Sequence, residues 1–379
     1  MKATIKQLDL AKALDLARRG LPSKTAMPIL NHFLITAEQG ALHISATDLQ
    51  LGISAVAVAE VAEDGQFTVD GERFTEWVKG LPPTHPVTLS MPTGKSRNVL
   101  SVTAGPASCK INCLDVEDYP VTPTTVDDAT MIAVGGEQLA TLINQVAIAA
   151  AKDASRPVLS GVYVEADGAL LTMAAADGFR LAAGSVQLAD PLSAKITTII
   201  PAVALRELAS MASDQSSPVV AGLNTEASQA TAHLFASEWV SSLIEGTFPN
   251  FRLIIPREFA TEVVIDRADL LAATKRARGF AKDNNDTLRL EIRDASVLVS
   301  AIALDRGDTQ TVLPAEITGP GLDIMVDERY FTAAVSVLDG EQVYLGFNDF
   351  KSAIVIQPSR DAALTHVVMP KVTKAEGAN

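Results

Sequence analysis

The run AAADGFRLAAG, Ala174 to Gly184, sets one Asp, one Arg and one Phe around a Gly in an otherwise small and apolar stretch. An Asp three residues before an Arg has the parts of an acid–cation pair that could orient a substrate, yet Asp-Gly is equally a turn signal. Other residue types with chemical potential are scattered. PTGKS at 92–96 ends like a phosphate loop, but the position where that motif requires its first Gly is Leu89, so a hairpin turn fits better. His32, His43, His85, His233 and His366 lack the spacing of metal ligands. Cys109 and Cys113, in SCKINC, are too few for a disulfide framework or a four-ligand zinc site. Their separation puts them on one face of an alternating strand, as small packing residues. Gly-x-Ser-x-Gly elbows and His-Glu-x-x-His helices are absent. The expectation is therefore a non-enzyme with no catalytic residues, no cofactor and no metal.

The elements that must carry these residues repeat along the chain. Its 379 residues suffice for two or three domains of ordinary size, about 100–200 residues each. Hydrophobic residues make up 47% but aromatics only 5%, so the cores must be aliphatic. TIKQLDLAKALDLARRGL precedes PILNHFLITAEQGALHISATDLQLGISA; MIAVGGEQLATLINQVAIAAAKD precedes RPVLSGVYVEADGALLTMAAADGFRLAAG; EVVIDRADLLAATKRARGFAKDN precedes TLRLEIRDASVLVSAIALD. Each reads as a strand, an amphipathic helix and alternating strands. Leu10, Leu14 and Ala17, like Leu139, Ile143 and Val146, keep the spacing of one buried helix face, and the second helix is expected to run to Lys152. A further strand leading into a short helix follows each copy, in FTVDGERFTEWVKGLP, IIPAVALRELASMA and IMVDERYFTAAVSVLDG. This predicts an α+β protein of three similar domains, 1–126, 127–256 and 257–379. Each has two strand-helix-strands halves, helices on one face and antiparallel sheets on the other. The boundaries fall in TPTTVDD at 122–128 and PREF at 256–259.

The net charge of −14 argues against a protein that coats nucleic acid, because phosphate contacts need Lys and Arg. The cations nevertheless gather on the repeated helices. Lys275, Arg278 and Lys282 share one face; Lys12, Arg18 and Arg19 lie on the first helix with Lys24 just beyond, and Lys152 and Arg156 close the second. For any one helix the alternative is a solvated face with its C-terminal cations favoured by the dipole. Recurrence points to phosphate tracking without base readout, since no aromatics are interleaved. The N-terminus MKATIKQLDL lacks a signal-peptide pattern, and no apolar run approaches the roughly 18 residues of a membrane span. The expectation is a cytoplasmic protein with no membrane contact.

The threefold pattern, with MPILNHFLITA, RPVLSGVYVE, ADGFRLA, EGTFPNFRLIIP and the near-terminal HVVMP in that order, closely resembles the bacterial sliding-clamp family, the beta subunits of DNA polymerase III. The resemblance spans essentially the whole chain. It implies a DNA-clamp fold, a head-to-tail homodimer closed into a ring, and a processivity factor that encircles double-stranded DNA without sequence specificity. The DNA-facing residues would include Lys24, Lys152, Lys275, Arg278 and Lys282. It also implies a groove for short linear motifs of the polymerase alpha subunit, the clamp loader, and repair and translesion polymerases. By position the groove would be Leu159, Ala176, Gly178, Phe179, Arg180, Leu181, Pro249, Leu253, Ile254, Tyr330, Val367, Met369 and Pro370. The subunit contact would involve Cys109 and Ile111 against Phe280 of the partner, the alternative being that Cys109 and Ile111 are ordinary core. Three positions depart from the family pattern: Ala176 where Thr is usual, Leu253 where many have Arg, and the extension KVTKAEGAN after Met-Pro. The competing functional reading is a clamp-fold peptide-binding scaffold that does not load on DNA. ISATDLQLGIS, the first-domain counterpart of the opening run, keeps the Asp as Asp48 without the Gly or Arg, which assigns the Asp to the turn.

Overall fold

The computed structural model describes residues 1–91, 98–120, 130–153, 155–213, 215 and 217–372. The PTGKS turn, the TPTTVDD boundary and the tail from residue 373 lie outside the described residues. The helices are α1 Gln7–Ala17, α2 Gly71–Lys79, α3 Gly136–Val146, the short α4 Pro157–Ser160, α5 Ala202–Ala212, α6 Arg267–Lys282 and α7 Glu328–Ser336. Three of them start where a strand ends in Asp. Asp70, Asp266 and Asp327 accept the amides of Arg73, Asp269 and Arg329, satisfying N–H groups that the first helical turn cannot pair internally. The periodic residues point inward as expected: Leu10, Leu14 and Ala17 of α1, and Leu139, Ile143 and Val146 of α3, are buried.

The second helix stops short of Lys152. After Val146 the backbone tightens into a 3-10 turn, Ala147–Ala149, and Ala150 is extended. The Ala147 carbonyl accepts the Arg206 guanidinium, and the Ala151 amide donates to Leu159 at 2.8 Å, which draws the chain out of the helix. Lys152 is therefore a loop residue and not the end of a basic helix.

Two compact units partition the chain, one of Met1–Glu137 with Glu207–Leu243, the other of Gln138–Arg206 with Ile244–Asn379. In the first, α1 packs on α2 and on the strand Leu51–Val58. An eight-stranded antiparallel sheet crosses from one repeat to the next where Ser237–Ser242 pairs with Leu51–Val58, Trp239 opposite Ile53. A five-stranded sheet ends at the edge strand Ala107–Asn112. In the second unit α6 packs on α7 and on Ser296–Ala303, and a twelve-stranded sheet contains the equivalent seam: Arg180–Gln187 pairs with Thr365–Val368, Leu181 opposite Val367. Strand pairing thus continues through repeat boundaries. The physical reason is that each seam satisfies backbone groups that an edge strand would leave open.

Candidate partner-binding site

The Asp-Gly stretch is a turn whose carboxylate is fully used. Asp177 Oδ1 accepts the amides of Phe179 and Arg180 at 2.9 and 3.0 Å, while Oδ2 accepts Arg180 Nε at 2.9 Å. Asp48 does the same in the first repeat, accepting from Gln50 and Leu51 at 2.9 and 2.7 Å. The residue after each Asp has a positive φ, 78° at Leu49 and 94° at Gly178, so glycine removes in the second copy a strain that the first retains. With its oxygens committed to the turn and its salt bridge to Arg180 mostly buried, Asp177 serves the geometry of the turn.

That turn is fixed against two other elements of the same unit. The Arg180 guanidinium lies 4.5 Å from the ring centre of Tyr330 on α7, a cation–π contact, and the Met369 amide donates to the Phe179 carbonyl at 2.8 Å. Beneath lies an apolar cluster containing Leu181, Val367, Ile199, Phe248 and Phe251, with Leu159 and Ala176 half-buried against it. Pro249, Leu253 and Ile254 belong to the loop whose Phe248 and Phe251 enter this cluster. Around the floor, large apolar side chains stay in solvent: Phe179 is 64% exposed, Leu253 83%, Ile254 46% and Met369 42%. A buried apolar floor with an exposed apolar rim is the form of a site that takes an apolar ligand.

An ion cluster supports the floor from behind. Glu165 accepts hydrogen bonds from Tyr163 and Arg252, both at 2.6 Å, and pairs with Lys195 at 2.8 Å. Tyr163 in turn packs on Phe248 and Phe251, with ring centres 5.6 Å apart in each case. Burial alone would raise the Glu165 carboxyl above its ordinary 4.5, but the hydrogen bonds from Lys195, Tyr163 and Arg252 outweigh it and hold it down to about 2. His366, on the strand behind the turn, is fully buried; loss of water, then the charge of Arg180, push it down to about 3, so it is neutral at pH 7. Both groups are depressed on folding. Their contributions are complete above the unfolded values, 6.5 for His366 and 4.5 for Glu165, and are lost as pH falls toward about 3 and about 2. Glu165→Gln should cost about 1.5–3 kcal/mol at pH 7, the worth of a hydrogen bond to a charged group. It should also flatten the stability loss below pH 4.5 while leaving the segment above it, as urea unfolding across pH will report.

Beside the groove opens a cleft of about 680 Å³, walled in part by Phe179, Arg180 and Tyr330 and containing Lys152, Arg156, Arg206 and Arg329. A smaller cleft of about 360 Å³ lies at Tyr119 in the other unit and holds two carboxylates, Glu117 and Glu238, but no cation among the described residues. Of the other residues singled out from sequence, Lys275, Arg278 and Lys282 are exposed on α6, and Lys24 is exposed after α1. Cys109 and Ile111 sit half-buried on the edge strand Ala107–Asn112, and Phe280 is half-buried on α6. Among the described residues no cluster of His, Cys, Asp or Glu could hold a metal ion.

Three family models cover the chain in order: the DNA polymerase III beta subunit N-terminal domain over residues 1–123, its central domain over 133–250 and its C-terminal domain over 252–372. The chain belongs to the beta sliding clamp family. Curated clamps from Synechococcus elongatus and Streptomyces coelicolor are 28% and 27% identical to it, each alignment covering 98% of this chain and 99% of the relative. The solved DNA polymerase III subunit beta from Pseudomonas aeruginosa superposes with a TM-score of 0.91 at 25% identity, over 98% of this chain and all of that one. A Pseudomonas aeruginosa clamp bound to griselimycin matches equally, with a TM-score of 0.91 and 25% identity. The architecture is thus three clamp domains of antiparallel sheets and helices.

Tyr163, Glu165 and Arg252, which support this floor, and the cations Arg206 and Arg329 are not marked by the sequence pattern. The pair of Phe residues in EGTFPNF was a visible signal for the floor; nothing local in α5 or α7 marks either arginine.

Proposed function

We propose that this chain is a sliding clamp: two copies join head to tail into a ring around duplex DNA and tether polymerases and other partners through the apolar groove. The observation that carries this reading is a repeat with one seam left over. Twice within the chain, the closing strand of one repeat pairs antiparallel with a strand of the preceding repeat, Ser237–Ser242 on Leu51–Val58 and Thr365–Val368 on Arg180–Gln187. The remaining equivalents are the edge strand Ala107–Asn112 and the outer side of residues 307–313, which pairs only with Ser296–Ala303 among the described residues. Joining these between two copies completes the series, with Cys109 and Ile111 facing Phe280. Ile302, Leu304 and Val312 near that edge are 50%, 82% and 65% exposed, as a surface awaiting a partner should be.

On this reading three domains, 1–126, 127–256 and 257–379, supply the inner helices, and Lys24, Lys275, Arg278 and Lys282 meet phosphates. An acidic body with local cations then slides instead of gripping. No step of bond chemistry is assigned to the chain, which acts in the cytoplasm beside the replicating DNA. The decisive test is retention after loading: the protein should stay on nicked circular DNA and be lost when the circle is linearised. Equal retention on both forms would overturn encirclement and leave the scaffold that does not load on DNA.

A further inference from the structure

We infer that the cationic cleft beside the groove receives a carboxylate of the docked partner peptide, either an acidic side chain flanking the apolar anchors or a free C-terminus. This rests on the groove reading and adds a charge requirement to it. Five cations, Lys152, Arg156, Arg180, Arg206 and Arg329, line one cleft in a chain of net charge −14. The two carboxylates in its lining, Asp153 and Asp177, offset the five cations only in part. Asp177 is paired with Arg180, and Asp153, bonded to the neutral Ser155 amide and hydroxyl at 2.9 and 2.5 Å, keeps its charge and offsets part of Arg156 only. Arg329 is matched by Asp327 and Asp286 at 2.9 and 3.2 Å. Lys152, Arg156 and Arg206 have no carboxylate within 4 Å among the described residues. Arg206 is held by its bond to the neutral Ala147 carbonyl, and lost water, then the charge of Arg180, push its guanidinium below the ordinary arginine value.

Guanidinium groups without a paired carboxylate at a concave surface favour an incoming planar anion, which can accept paired N–H donors. The occupant is a peptide because the cleft is continuous with the apolar groove. Phe179, Arg180 and Tyr330 belong to both, and Arg180 is held by Asp177 and by the Tyr330 face before any ligand arrives. Preorganised donors at the end of an apolar slot reward a ligand that carries both an anchor and an anion. Lys152, placed on phosphate from its sequence position, is assigned to this wall instead.

Isothermal titration of the full chain with acetylated synthetic peptides sharing Leu and Phe anchors tests the assignment. One arm carries a flanking Glu and an amidated C-terminus, a second a flanking Gln and a free C-terminal carboxylate, a third Gln and the amide; oligothymidylate is a fourth ligand. One charged arm should bind about tenfold tighter than the neutral peptide, the scale of one charge-assisted hydrogen bond, and which arm it is identifies the source of the carboxylate. Lys152→Gln and, independently, Arg156→Gln, both at exposed side chains, should reduce that preference about three- to tenfold while the neutral peptide binds as before. Equal binding of charged and neutral peptides overturns the inference and leaves the groove standing, as does a preference unmoved in both variants. Oligothymidylate that displaces peptide, with no preference for the acidic arm, assigns the cleft to nucleic acid instead. Failure of every peptide to bind overturns the groove reading and this inference together.

Discussion

Replacing Lys275 and Lys282 by Glu should lower both the salt-sensitive association of the clamp with duplex DNA and the length of processive synthesis by at least about tenfold. Both side chains are exposed on α6, on the face away from Leu270, Ala273, Ala277 and Ala281, so the change leaves the helix packing intact. If each contacts one phosphate, the slope of log affinity against log salt falls by about 0.9 per contact, a signature that a folding defect would not give. Arg278, on the same helix, serves a second contact. Its Nε is 3.9 Å from Glu328, whose side chain is 1% exposed, so reversing it would set two carboxylates together. Burial already holds the Glu328 carboxyl above its ordinary range. Unchanged processivity and an unchanged salt slope would remove α6 from the DNA surface.

What the sequence made legible is what is written locally. Helix and strand periodicity lie within single segments, so the three repeats, the buried faces of α1 and α3, and the role of Asp177 could be read by setting one copy beside another. Asp48 and Asp177 prove to cap the same turn because both answer the same backbone need. The α3 end failed for a non-local reason: the carbonyl of Ala147 is claimed by Arg206, from a helix far along the chain. That SCKINC ends a sheet is non-local too, since it looks like any alternating strand until its neighbours are known. The cationic cleft gathers Arg156, Arg206 and Arg329 from three separate segments, each unremarkable where it stands. Local patterns specify elements; only the fold specifies which charges meet.

The groove makes its own demand on two side chains that sequence position alone treats alike. Leu181 is 3% exposed on the floor, opposite Val367, whereas Met369 is 42% exposed on the rim and held there by its backbone bond to Phe179. Leu181→Ala should therefore cost about 2–5 kcal/mol of stability, the range for truncating a buried leucine, and weaken peptide binding through a collapsed floor. Met369→Ala should leave stability within about 0.5 kcal/mol, as an exposed side chain, yet lower affinity for a Leu/Phe peptide by more than about fivefold if it closes over an anchor. Urea midpoints and titrations on the same preparations separate the two effects. A Met369→Ala chain that folds and binds as the parent does would move the contact to the other exposed apolar side chains, Phe179, Leu253 and Ile254. If Leu181→Ala also bound normally despite its lost stability, the cluster beneath the turn would be core alone, and the groove would have to lie elsewhere in the unit.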